Sequence, residues 1–424
     1  MSMKCGLIGH KLGHSFSPRI HRELADYSYE LFELEREELG SFFEKRDFAG
    51  VNVTIPYKKD AMSYCTELTD IARKIGCVNT IVHRADGTLL GHNTDYDGFK
   101  WLLESTGVSA QGKKALILGS GGASLTAQTV LRDMGAESVI VVSRSGENNY
   151  NNIGIHSDAA ILVNATPVGM YPNNGESPVD LNKLPGLECV IDVVYNPAKT
   201  KLLLDAERLN IRCANGLGML VAQAAAASRM FLGLDYNEQY LNSEVIRILD
   251  GLRGETRNIL LIGMPGCGKS TVGKLLAQKL GRSFYDADDE LVKSVGKSIP
   301  DIFANEGEAD FRSYETETLR RLTKESGCVI SAGGGAVTVN ANLDLMRQNS
   351  VILWLKRDLE LLPTNGRPLS QANKLSAMYE KRRPLYEAAA DCIISNDDTV
   401  EKCVNDIIQT LHLTGGEARP LQDL

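Results

Sequence analysis

Short apolar runs alternate along the chain with segments of helical period, the pattern of an α/β protein built on parallel sheets. In the first half, KCGLIG (4–9), YELFELE (29–35) and VNVTIPYK (51–58) read as strands, the last interrupted by Pro56. Helices are expected from Pro18 to about Tyr27 and over 41–50, the second ending at Gly50. Ser17 stands at the N-cap of the first with Pro18 at N1, which leaves Ser15 without a capping duty. IGCVNTIV (75–82) closes a helix and opens a strand with Asn79 between them, and GHNTDYDG (91–98) sets Asp95 at a strand-to-helix junction. A helix over 97–107 leads to KKALILGSGGAS (113–124): a strand, a glycine turn and a helix through Met134, with ESVIVVSR as the next strand. NATPVGM (164–170) and DVVYNPAKT (192–200) are strands followed by turns, and 216–233 is an Ala-rich helix carrying Gln223.

The pattern breaks at LDGLRGETR (249–257), where two glycines and alternating charges without apolar period predict a linker. Beyond it NILLI (258–262) is a buried strand, and FYDADDEL (284–291) a strand whose alternation puts Asp286 and Asp288 on the same side. A helix at 307–315 carries Arg312, CVIS leads into the glycine turn SAGGGAV (331–337), VILWLK (351–356) is another buried strand, and KRRPLYEAAA (381–390) opens a helix.

At 424 residues the chain exceeds one core and predicts two or three domains. Every apolar run is too short to cross a bilayer, and the N-terminus reaches a strand before a signal-peptide core could form, so no membrane partner and a cytoplasmic location are expected. Nine cysteines scattered without a C-x-x-C pair read as reduced thiols. A net charge of -8 argues against nucleic acid, so small anionic ligands must be gripped by local sites. The sequence sets no oligomeric state.

The clearest chemistry lies at RNILLIGMPGCGKST (257–271), a strand running into G-x-x-x-x-G-K-S. Gly263, Gly266 and Gly268 let backbone N–H groups, Cys267's included, turn toward phosphate oxygens. Lys269 adds a charge for the β/γ-phosphates, Ser270 a hydroxyl for Mg²⁺, and Thr271 packs or caps. In the first half, Ser15 and Ser17 at a helix start form a seat for a carboxylate, and Lys58 emerges just past a strand end. His10, His14 and His21 raise a metal site as an alternative, but no carboxylate or Cys partners accompany them. The turn at Gly119 and Gly121, with Ser124 for the third glycine, fits a dinucleotide-binding unit, and Ser143-Arg144-Ser145 after its second strand suits a 2′-phosphate.

HSFSP, NVTIPYK, CVNT and NTDYDG, in that order, resemble the substrate domain of shikimate dehydrogenases. The resemblance, over roughly 3–248, implies that Ser15 and Ser17 bind a carboxylate and that Thr54, Asn79 and Asp95 hold ring hydroxyls. It further implies that Lys58 and Asp95 form the catalytic dyad and that Gln223 touches substrate. NADP(H) would lie against Gly119, Gly121, Gly122, Ala123, Ser143 and Arg144, with Tyr195 and Gly216 near the nicotinamide. Leu125 stands where the family has Arg, and polar GENNYNN replaces a further Arg, implying a thinner cofactor grip and an abbreviated nucleotide domain.

D-A-D, G-E-x-x-F-R, G-G-G, R-P-L and K-R-x-P-L-Y closely resemble shikimate kinase over roughly 256–412. By that resemblance Asp288 receives the acceptor hydroxyl, Arg312 and Arg382 clamp the substrate carboxylate, and Gly333, Gly334 and Gly335 let the backbone approach the ring. Arg367 belongs to a lid over ATP, while Ser270 and Asp286 hold Mg²⁺. The expected architecture is an α/β substrate domain (1–108 with 213–248), an abbreviated Rossmann-like NADP domain (109–212), the linker 249–257 and a P-loop α/β/α domain with a parallel sheet (258–424). The expected function is successive reduction and phosphorylation on the shikimate skeleton. The alternative is an active kinase joined to an impaired dehydrogenase-like binding or regulatory module.

Overall fold

Three sheets carry the fold in the computed structural model, which describes residues 3–13, 15–235, 237–362 and 372–413. The first is six-stranded and ordered β2-β1-β3-β5-β6-β4, with β1 Lys4–Gly9, β2 Ser28–Glu33, β3 Gly50–Val53, β4 Glu67–Leu68, β5 Thr80–His83 and β6 Leu89–His92. β1 pairs in parallel with β2 and β3, whereas β5 runs antiparallel to both β3 and β6. Strands of two to six residues suffice because Ile8, Val51, Val53 and Ile81 are buried in one core with Phe43 and Leu89.

The second sheet is parallel and five-stranded, in the order β11-β10-β9-β7-β8. Its strands are β7 Lys114–Leu118, β8 Ser138–Val142, β9 Ile161–Asn164, β10 Cys189–Asp192 and β11 Arg212–Asn215. Successive connections leave β7 in opposite directions, toward β8 and then β9, so the carboxyl end of β7 is the switch point where such sheets bind ligands. Between β8 and β9 the chain makes only the 3₁₀ turn Ile153–His156, as the polar GENNYNN stretch predicts.

The third sheet, also parallel, is ordered β13-β14-β12-β15-β16, with β12 Asn258–Ile262, β13 Phe284–Asp286, β14 Val329–Ser331, β15 Ser350–Lys356 and β16 Cys392–Ser395. Its central strand is fully buried, which accounts for a continuous apolar run instead of an alternating one.

The chain divides into two compact units. One holds residues through Val168 with Ser177–Tyr195 and Asp205–Leu249; the other holds Gly169–Glu176, Asn196–Leu204 and the chain from Asp250.

Four expectations are corrected. Residues 249–257 are not a linker loop: Glu238–Thr256 is one helix. Leu241, Val245, Ile248, Leu249 and Leu252 are all buried, at a spacing that makes one apolar stripe, and this outweighs the cost of Gly251 and Gly254. The helix expected to reach Gly50 ends at Lys45 because Arg46 turns left-handed (φ 51°), freeing Gly50 to open β3. At the first helix Phe16, not Ser17, is the N-cap; Ser17 is the first helical residue and Ser15 Oγ accepts its N–H at 3.2 Å. Asp288 lies on the helix Ala287–Val295, while Asp286 caps that helix by accepting the Asp288 N–H at 3.1 Å.

Candidate active sites

In the first unit a left-handed cap at Gly76 (φ 79°) ends the helix Asp70–Ile75 and delivers Asn79 to the start of β5. The Asn79 amide is fixed at both ends: Oδ1 accepts the Thr94 N–H at 2.7 Å and Nδ2 donates to Asp95 Oδ1 at 2.9 Å. Asp95 opens the helix Asp95–Ser105, and its other oxygen accepts from Lys58 Nζ at 2.6 Å. Both partners stay partly exposed, 27% for the lysine and 18% for the aspartate, so the pair is preorganised yet open to a ligand. Such an ammonium can donate to a carbonyl oxygen while the carboxylate holds its direction.

Gln223, on the helix Leu217–Phe231, joins this network through Thr94, whose hydroxyl donates to Gln223 Oε1 at 3.4 Å. Gly98 allows that helix to approach, since a Cβ there would lie 2.5 Å from the Met219 carbonyl. Thr54 follows β3 and donates its N–H to the Ile8 carbonyl at 2.9 Å. Ser15 and Ser17 sit at the neighbouring helix start and not in the dyad's own network; Phe16 between them meets the Tyr195 ring edge-on at 6.0 Å. Gly216 has to be glycine, because a Cβ would lie 2.0 Å from the Val193 carbonyl oxygen.

At the switch point, Gly119 takes φ 98° and donates its N–H to the Val142 carbonyl at 2.8 Å, tying the glycine turn to the end of β8. Gly121 caps the helix Gly122–Asp133, and a Cβ at Gly121 or Gly122 would meet nothing within 4 Å, so the turn is open on the ligand side. Arg144 is exposed just past β8, beside that turn, with Ser143 half-buried. This arrangement fits a dinucleotide phosphate group. Leu125 is exposed on the same helix.

Two residue sets that the sequence left unassigned support the dyad. Thr80, Thr94 and Asn52 hydrogen-bond beneath Asn79, with Tyr29 donating to Asn52 Oδ1 at 2.8 Å. His21 stacks on Tyr29 at 3.9 Å, and its Nδ1 lies 2.6 Å from the Tyr27 hydroxyl. Burial lowers His21 to about 3, so the ring is neutral and serves packing. His10 lies 3.6 Å from Glu35, and His14 is outside the described residues.

In the second unit β12 feeds the phosphate loop. Gly263, Gly266 and Gly268 all take positive φ, and a Cβ on Gly263 would lie 2.6 Å from the Leu355 carbonyl. Lys269 opens the helix Lys269–Leu280, is buried, and donates to the Gly263 and Met264 carbonyls at 3.0 and 3.1 Å. Cys267 is fully buried inside the loop, and Thr271 is exposed on the helix. Ser270 donates to Asp286 Oδ2 at 2.5 Å, which places two hard oxygen ligands together and fits Mg²⁺.

Next to this loop, Gly333–Gly335 is lined by the predicted acceptor-site residues. A Cβ on Gly333 would lie 2.9 Å from Asp288 Oδ1, and one on Gly335 would lie 2.5 Å from the Arg312 guanidinium. Arg382 donates to the Gly334 carbonyl at 3.1 Å. Glu315 and Tyr386 were missed by the sequence reading. Glu315 is buried and accepts from Arg312 at 2.8 Å; burial raises its carboxyl, with Arg312 opposing. Tyr386 donates to the Gly334 carbonyl at 2.6 Å. The i, i+3 spacing of Arg312 and Glu315 on one helix was the available signal. Arg367 lies outside the described residues.

The comparisons with known proteins divide along the same line. The shikimate dehydrogenase substrate binding domain model matches residues 7–81, and the shikimate kinase model matches 265–412. A shikimate dehydrogenase (NADP(+)) of Clostridium beijerinckii is 39% identical over 247 residues, covering 53% of this chain and 90% of that protein. The chain belongs to the shikimate dehydrogenase family and carries a shikimate kinase domain at its C-terminal end. A Bacillus cereus shikimate dehydrogenase (NADP(+)) is 34% identical over 278 residues, which is 59% of this chain and all (100%) of the relative. Among solved structures, a chorismate mutase/shikimate 5-dehydrogenase fusion from Clostridium acetobutylicum is similar with a TM-score of 0.56 and 34% identity, covering 60% of this chain and 100% of its own. The Thermus thermophilus shikimate 5-dehydrogenase in complex with NADP(H) and shikimate has a TM-score of 0.51 at 30% identity, over 58% of this chain and 99% of that one. Lys58 falls within the first family match, and Lys269 and Ser270 fall within the second.

Proposed function

We propose that the chain catalyses two consecutive reactions: reduction of 3-dehydroshikimate to shikimate with NADPH, and phosphorylation of shikimate to shikimate 3-phosphate with ATP and Mg²⁺. The boundaries proposed are 1–248 for the reductase, with 109–212 as its nucleotide part, and 258–424 for the kinase. When bound, NADPH supplies the hydride and Mg²⁺ offsets phosphate charge. Lys58 Nζ–H gives its proton to the carbonyl oxygen as negative charge develops there, and Asp95 keeps the ammonium aimed. Ser15 and Ser17 hold the substrate carboxylate, while Thr54, Asn79, Asp95 and Gln223 fix the ring hydroxyls. Arg144 with Ser143 favours the 2′-phosphate of NADP.

In the kinase half Asp288 accepts the proton of the attacking hydroxyl, and Arg312 and Arg382 pair with the carboxylate of shikimate. Lys269 and Arg367 neutralise charge on the phosphoryl group in transfer, and Ser270 and Asp286 would hold Mg²⁺. The observation that carries the reading is the Lys58–Asp95 contact of 2.6 Å, pinned by Asn79. The second reading, a kinase with an impaired N-terminal module, is favoured by exposed Leu125 at a position where a cofactor-binding Arg would be expected. The two readings separate when NADPH absorbance is followed with 3-dehydroshikimate and no ATP. Steady oxidation supports the bifunctional reading, and none in folded protein sinks it.

A further inference from the structure

A cleft in the second unit belongs to neither active site. It is open to solvent, and every residue lining it belongs to that unit. Asn258 and Ile259 open β12 and Ser350 and Val351 open β15, so the cleft lies at the amino ends of these parallel strands. The phosphate loop lies at the opposite end, about 15 Å away along a five-residue strand.

The lining has two chemistries. Lys199, Arg253, Arg257 and Arg282 supply cations, against Asp391 as the acid of the wall. Asp391 is occupied with backbone, its Oδ2 accepting the Ile352 N–H at 2.7 Å. Asp250, 3.9 Å from Arg253, partly offsets that charge, and Glu255 acts on Arg282. Arg282 also caps the helix Glu238–Thr256 by donating to the Gly254 and Arg257 carbonyls, the latter at 3.0 Å. Burial lowers both Arg253 and Arg282 from their ordinary values. The remaining wall is apolar, from Ile259, Val351, Leu411 and Leu413. Cationic heads beside an aliphatic wall match an oxyanion on an apolar body.

We propose that this cleft is a binding site, separate from both active sites, for a small organic anion: a carboxylate or phosphate ester borne on an apolar ring or chain. Sugar phosphates and free phosphate offer the oxyanion without the apolar body and bind it less well. The site is independent of the two activities proposed above, so its test uses binding and not turnover.

Isothermal titration calorimetry on the full chain at low salt, with benzoate, phenyl phosphate, inorganic phosphate and benzyl alcohol as probes, reads it directly. Benzoate or phenyl phosphate should bind with a dissociation constant of about 1 mM or tighter, inorganic phosphate about tenfold more weakly, and benzyl alcohol not detectably. Saturating the phosphate loop with a non-hydrolysable ATP analogue should leave these affinities unchanged. Arg253→Gln and, in the stretch Asn196–Leu204, Lys199→Gln should each weaken the aromatic anions about ten- to a hundredfold while kinase turnover, the check on folding, persists. Lys199→Gln keeps the test decisive if the helix variant fails to fold. The proposal is overturned by any of four results: no binding of either aromatic anion at about 10 mM, inorganic phosphate binding as tightly as phenyl phosphate, displacement by the ATP analogue, or affinities unmoved by the substitutions.

Discussion

Two single side chains, Arg144 and His21, carry predictions about cofactor choice and one stretch of the pH response. Arg144 is exposed beside the Gly119–Gly121 turn, where an acid would instead suit the ribose hydroxyls of NAD. Arg144→Ala should therefore cut the NADPH-over-NADH preference in catalytic efficiency about ten- to a hundredfold; equal efficiencies in the unmodified enzyme would remove the basis of the prediction. His21 offers a second test. Its imidazole falls from its ordinary 6.5 to about 3 on burial, so between those values the unfolded chain binds a proton that the folded one refuses. The sign follows: His21's contribution is fully present above about 6.5 and is lost as pH falls toward 3. His21→Phe should flatten the slope of stability against pH in that window by up to about 1.4 kcal/mol per pH unit, measured by denaturant unfolding at several pH values. Identical slopes in the two proteins would contradict the buried, neutral ring. The Lys58–Asp95 pair and the place of Lys269 in the glycine loop were legible because motif spacing constrains them. Glu315 and Tyr386 were not, since their contacts with Arg312 and Gly334 arise only when helices and the glycine turn meet.

Among elements, the strands were the most legible, because buried parallel strands are written as continuous apolar runs. The helix Glu238–Thr256 was the least, since a reading that begins at Leu249 sees two glycines and charges and loses the stripe begun by Leu241 and Val245. The same window shows why Asp288 was placed on a strand: β13 is only Phe284–Asp286, and its last residue already caps the next helix. The difference between helix and linker at 249–257 is measurable. Gly251 is exposed and a Cβ there meets nothing within 4 Å, so Gly251→Ala should stabilise the protein by about 0.5–1 kcal/mol in thermal or denaturant unfolding. A loop would show no such gain, and a loss would mean that the backbone there is not helical.

At the scale of the whole molecule, the groups assigned to each proposed reaction lie within one unit, and neither set borrows a residue from the other. Lys58→Ala should lower reductase turnover about 10²–10⁴-fold and leave phosphorylation of shikimate unchanged, while Lys269→Ala should abolish phosphorylation and spare NADPH oxidation. Loss of both activities in a folded single variant would falsify this independence. The central claim is that one chain performs both steps, and the most direct measurement supplies only the first substrate. The purified protein is given 3-dehydroshikimate, NADPH, ATP and Mg²⁺, and products are followed by mass spectrometry alongside NADPH absorbance. The account predicts that shikimate 3-phosphate accumulates, with one NADPH oxidised for each molecule formed. Unchanged NADPH absorbance, or shikimate accumulating without its phosphate ester, would contradict it.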